Sequence, residues 1–163
     1  MSEHYWLVCH TKPRCEKKFA ALMAAEKFEH YLALVVSVRR YAEQTKRLTK
    51  PLFPGYVFAQ VPVEKKARIY QQDLLARAII VEDEAKFLRQ LADVKAIVAS
   101  GFELTVMPLI KKGRRVKIVG GPLHGLEGLV DNPSNPRGIV LAVDVLQQGL
   151  LVKVPVENLQ VLP

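Results

Sequence analysis

The hydrophobic pattern changes character near residue 100. Before it, apolar runs alternate with amphipathic stretches of helical period. "YWLVCH" (5–10), aromatic and β-branched, reads as a first strand. "TKP" (11–13) then predicts a helix start, with Thr11 as cap and Pro13 in the first turn. Within that helix Cys15, Phe19, Leu22 and Met23 recur on one stripe. "YLALVVSVRRY" (31–41) and "TKRLTKPLF" (45–53) read as strands around a polar turn at 42–44. "GYVFAQV" (55–61), apolar on both faces, predicts a central strand. A short helix over 63–72, a strand over 76–82 and a helix over 84–99 come next, the last with Phe87, Leu91, Val94 and Val98 as its core face. The order β-α-β-β-β-α-β-α predicts an α+β domain, a mixed β-sheet flanked by helices, over residues 1–101.

Beyond it, 102–112 has no period and contains Pro108, so it reads as a linker with partial order. From 113 to 163 short β-type runs sit between Gly and Pro: 114–119, 128–130, 138–146, 150–156 and 159–162, with turns at 131–138 and 147–149. Five short strands in so few residues predict a small all-β SH3-like barrel. The Val-rich composition predicts that it stays in strands rather than converting to helices.

"VGGPLHGLEGLV" (119–130) poses a chemical choice. A phosphate loop of P-loop type needs a Lys and a Ser or Thr after its last glycine. A dinucleotide fingerprint needs GxGxxG between a strand and a helix. The sequence has neither, and the run after Gly128 is strand-like. The glycines therefore read as a structural corner: positive φ at Gly120 or Gly121 and again at Gly125, and close backbone approach at Gly128.

Composition adds two things. The net charge is +8, and residues 1–50 carry ten Lys or Arg against five acids. That asymmetry fits a surface facing a polyanion, and equally a solvated helix and hairpin. Cys9 and Cys15 are too few for a disulfide scaffold and read as free thiols. His4, His10, His30 and His124 are scattered, so no metal site is expected, and no triad or carboxylate pair suggests catalysis. The N-terminus lacks a signal-peptide core and no run is long enough to span a bilayer, so a cytoplasmic monomer is expected, with no enzymatic activity and no cofactor.

Two stretches carry a resemblance. Gly113, Val116, Ile118, Gly121, Pro122, Gly125, Gly128 and Val130 match the KOW motif of transcription and ribosomal proteins. "TKPRCEKKFA" (11–20) and "PLFPGYVFAQV" (51–61) resemble the N-terminal (NGN) domain of the NusG family of transcription elongation and antitermination factors. Together they cover nearly the whole chain. The resemblance implies an N-terminal domain that binds RNA polymerase and a KOW domain that recruits a partner, ribosomal protein or Rho. It implies polymerase contacts at Trp6, Phe53, Pro54 and Tyr56, while Phe58 reads as core. It also implies that Lys12, Arg14, Lys17 and Lys18 face DNA, the non-template strand of the transcription bubble included. Arg39, Arg40, Lys46 and Arg47 extend that set, or form a charged edge that blocks strand pairing. The segment 63–84 lacks the Gly-Val segment of general NusG factors and the His-Thr cluster of RfaH, and the C-terminal run resembles specialised paralogues of the RfaH-like class. A ribosome- or RNA-binding KOW protein is the alternative.

Overall fold

The computed structural model describes residues 3–110, 112–130 and 138–163, apart from the side chains of 37–39. The expected turn at 131–138 therefore lies outside the described residues save for Gly138. The chain divides into two compact units, Met1–Glu84 and Ala85–Pro163.

The first unit holds β1 (His4–Thr11), α1 (Glu16–Ala25), β2 (His30–Tyr31), β3 (Leu34–Tyr41), β4 (Gln44–Pro51), β5 (Tyr56–Pro62), α2 (Lys66–Tyr70) and β6 (Leu75–Ile80). Its main sheet has the order β2-β5-β1-β6. The expected mixed sheet is corrected here, because every neighbouring pair is antiparallel. The reason is topological: β5 and β6 form a split β-α-β unit with β1 inserted between them, so the two parallel strands never touch. Strand β5 is interior, as its two apolar faces require.

Alternation sorts β1 and β5 into two faces. On one, Leu7, Cys9, Val57, Ala59 and Val61 pack with Phe19 and Met23 of α1 and Ile69 of α2. Each Val, Leu, Ile, Phe or Met side chain among them, fully buried, contributes about 1.5–3 kcal/mol. The other face carries Trp6, Val8 and His10, with Phe58 and Tyr56 opposite Val8 and His10 in register.

The helix start differs from expectation. Thr11 ends β1, and α1 begins at Glu16 with Cys15 in the cap position. Its buried positions are Glu16, Phe19 and Met23, with Leu22 partly buried against the same core, so Glu16 takes the place expected of Cys15. The expected strand 31–41 is split between β2 and β3, and β3 pairs with β4 as a separate two-stranded ribbon around Ala42–Glu43.

In the second unit α3 (Glu84–Ser100, all but its first residue) buries Phe87, Leu91, Val94 and Ile97. Ile97 rather than Val98 completes the stripe, being three residues after Val94 on the same face. Strands β7 (Leu104–Pro108), β8 (Arg114–Ile118), β9 (Glu127–Val130), β10 (Ile139–Val143), β11 (Gln148–Val152) and β12 (Leu159–Val161) form one antiparallel sheet in the order β12-β8-β9-β10-β11-β7. Strand β7 lies inside the segment expected to be a linker and pairs with β11 along five positions. Pro108, which has no amide hydrogen, is tolerated as the last residue of an edge strand. Among the described residues β12 and β7 are both edges, so no closed barrel is found. The expected strand 138–146 stops at Val143, where Asp144–Leu146 turn as a short 3-10 helix. The expected turn 147–149 is one residue, Gln147, with φ of 53°, before β11 begins.

Candidate docking turn and basic surface

The sequence Phe53-Pro54-Gly55-Tyr56 closes a β-turn in which the Tyr56 amide donates to the Phe53 carbonyl at 3.1 Å. Proline second and a positive-φ residue third, Gly55 at 88°, are the type II pattern. The turn's central groups are held from outside. The Gly55 carbonyl accepts from the Thr11 amide at 2.8 Å, with the Thr11 hydroxyl at 3.5 Å. The Gly55 amide donates to Glu16 Oε2 at 3.1 Å. Thr11 and Glu16 are the two buried polar residues among the described ones, and both bond Gly55, Thr11 chiefly through its backbone amide and Glu16 through its carboxylate. Glu16 is also the first residue of α1, where exposed backbone amides favour a carboxylate.

Beside the turn, the Tyr56 ring stacks on His10, with centroids 4.9 Å apart and planes 15° from parallel. Of the four residues expected to contact polymerase, Pro54 is exposed and Tyr56 half-buried. Trp6 and Phe53 are buried at 4% and 2% exposure. Sequence reasoning passed over Glu16 and His10. Glu16 is the one acid among the basic residues of 12–18, which was a usable signal; the facing of His10 and Tyr56 depends on register and was not.

The basic residues divide. Lys12, Arg14 and Lys18 are exposed around the start of α1, Arg14 with φ of 62°. Lys17 instead reaches β4, where its Nζ donates to the Thr49 carbonyl at 2.8 Å and hydroxyl at 3.0 Å. On the ribbon, register places Arg40 and Arg47 on the face that carries Thr49, and Lys46 on the other, with its Nζ 5.8 Å from the Tyr41 ring centre. Arg39 lies opposite Lys46 in register; its side chain is outside the described residues. The ribbon's basic residues therefore do not form one patch.

The glycine-rich stretch behaves as a corner. Gly121 and Gly125 have φ of 79° and 95°. The amides of His124, Gly125 and Leu126 donate to the carbonyls of Gly121, Ile118 and Leu123 at 3.2, 2.7 and 3.1 Å. These donors are consumed internally, which leaves them nothing to offer a phosphate. Gly113 and Pro122 flank β8 and the loop, Val116 and Ile118 are buried in β8, and a Cβ on Gly128 would meet the Val140 carbonyl oxygen at 2.6 Å. Elsewhere in this unit Asp144 pairs with Lys86, and its amide donates to Gln90 Oε1 at 3.0 Å. Near Gln90, Asp93 faces a cavity of about 270 Å³ with Arg115 and Glu127, and burial pushes its carboxyl pKa up.

Among the described residues no group of three metal-ligating side chains is found, and no helix is long and apolar enough to cross a membrane. Residues 4–112 match the family model described as transcription termination factor nusG. The chain belongs to the NusG family. Membership makes it a transcription elongation or termination factor of a non-enzymatic family. The match spans β1 to the start of the second sheet and includes the Phe53–Tyr56 turn; residues 113–163 lie beyond it. Among curated proteins, none matches the chain.

Proposed function

We propose that this NusG-family chain is an elongation and antitermination factor that docks on RNA polymerase through the Pro54–Tyr56 turn. The observation that carries this reading is the turn itself, which presents exposed Pro54 and the His10-stacked Tyr56 on a fixed backbone. A rigid aromatic beside a proline loses little entropy on binding, which suits an interface anchor. Trp6 and Phe53 support the surface from within rather than touch the partner. Lys12, Arg14 and Lys18, with Arg40 and Arg47, contact non-template DNA through its phosphates. Residues 1–101 serve as the NGN-type domain, and 102–112 connects it onward while contributing β7 to the second sheet. The second sheet, to which residues 113–163 supply β8 to β12, serves as the KOW module that recruits a second partner, ribosomal protein or Rho, and the departures of segment 63–84 from general NusG factors support a specialised paralogue of the RfaH-like class. It works in the cytoplasm as a monomer.

The test is capture of purified core RNA polymerase by the full chain. Capture that falls about tenfold with Tyr56→Ala supports the reading, since truncating an interface anchor costs 1–2 kcal/mol or more, with each 1.4 kcal/mol about tenfold. Capture of ribosomes but not polymerase overturns it in favour of a ribosome-binding KOW protein.

A further inference from the structure

A buried carboxylate and the backbone amide of a buried threonine converge on one glycine, and the carboxylate calls for an explanation beyond stability. A type II turn with Pro-Gly at its centre forms readily without help, because proline presets one φ and glycine accepts the other. Burying a carboxylate, by contrast, is costly unless it is hydrogen-bonded. The chain nevertheless places Glu16 at 8% exposure and aims Oε2 at the Gly55 amide. Thr11, at 3% exposure, holds the carbonyl of the same residue. Both peptide planes that flank the Gly55 α-carbon are thus fixed from β1 and α1. The residue leaving that glycine is Tyr56, whose ring stacks on His10, one residue before Thr11. Gly55 also lies under the imidazole: a Cβ there would sit 3.1 Å from His10 Cδ2.

We infer that Glu16 is a positioning residue for polymerase docking: by clamping the Gly55 amide it sets the direction in which Tyr56 leaves the turn, with His10 as the second support for the ring. The inference rests on the proposed docking of the Pro54–Tyr56 turn. Glu16 touches no partner; it acts through Tyr56. Loosened, the turn samples other orientations, and binding then bears the cost of restoring one.

The experiment measures affinity of the full-length chain for purified core RNA polymerase in a double-mutant cycle of Glu16→Ala and Tyr56→Ala. Glu16→Gln, Gly55 amide exchange and thermal stability are measured alongside. The expected result is about a tenfold loss for Glu16→Ala and less than twofold for Glu16→Gln, whose amide oxygen accepts the same hydrogen. Glu16→Ala adds nothing in the Tyr56→Ala background, and Gly55 amide exchange accelerates in Glu16→Ala alone. Additive losses overturn the inference, because they mean Glu16 acts by general stability. So does a Tyr56→Ala loss with no Glu16→Ala loss. If Tyr56→Ala itself leaves affinity unchanged, the docking reading falls instead. Should Glu16→Ala fail to fold, His10→Ala and His10→Phe decide. His10 lies near the end of β1 and is half-buried, and the inference requires loss with alanine and recovery with phenylalanine.

Discussion

Lys17 Nζ donates to both oxygens of Thr49, at 2.8 and 3.0 Å, and so ties the first turn of α1 to strand β4. A lysine whose ammonium is already hydrogen-bonded within the chain is a tether between two elements, and its charge is not free to follow a phosphate. In a single-stranded DNA titration over a range of salt, Lys18→Ala or Arg47→Ala is expected to lower the slope of log K against log salt by about 0.7 each. Lys17→Ala leaves that slope unchanged. An equal drop for Lys17→Ala would show that it contacts phosphate in the complex.

Gly55→Ala tests the turn by its backbone. At φ of 88° an L-residue is strained by about 1–2 kcal/mol, and its Cβ meets the His10 ring at 3.1 Å. Thermal unfolding should shift down by about 5 °C or more. The His10–Tyr56 stacking, monitored by ring-proton chemical shifts, should be lost together with it.

The two cysteines should differ in chemistry. Cys9 lies in the core and burial pushes its thiol from an ordinary value near 9 up to about 12, whereas Cys15 is half-buried at the start of α1. A thiol reagent at neutral pH should label Cys15 in the folded chain and Cys9 only on unfolding. The raised folded value also fixes a sign. Its contribution to stability is complete below pH 9 and is lost as pH rises from there to 12, because the unfolded thiol ionises first. Denaturant midpoints between those values should fall less steeply for Cys9→Ala than for the parent.

Asp93 gives a shift of the same sign at lower pH. Its carboxyl is raised by burial, so its contribution to stability is complete below the ordinary carboxylate range and is lost as pH rises through the raised value, which leaves the ionised form a cost to the fold. Asp93→Asn should raise the unfolding temperature at pH 7 by roughly 1–3 °C, a small figure because the group is partly solvated. The gain should vanish near pH 3, where both forms are neutral; a gain that persists there would refute burial as the cause.

Local pattern determined much of this protein. The period of 87, 91 and 94 was enough to find α3, and the apolar faces of 55–61 were enough to place β5 inside its sheet. The glycine spacing of 119–130 excluded a phosphate loop. These are properties of neighbouring residues, set by sterics and by side-chain alternation. What only the tertiary structure decided concerns partners distant in the chain. Strand β7 pairs with β11 because a sheet edge was available to it, which no feature of 102–112 announces. Lys17 is a tether because Thr49 lies within its reach, and Arg40 and Lys46 face apart because hairpin register says so. Glu16, the one acid among the basic residues of 12–18, is buried and bonds the Gly55 amide because folding brings α1 against the Phe53–Tyr56 turn. Its role depends on contacts across 39 residues of chain, and such contacts are chosen by the packing of the whole unit.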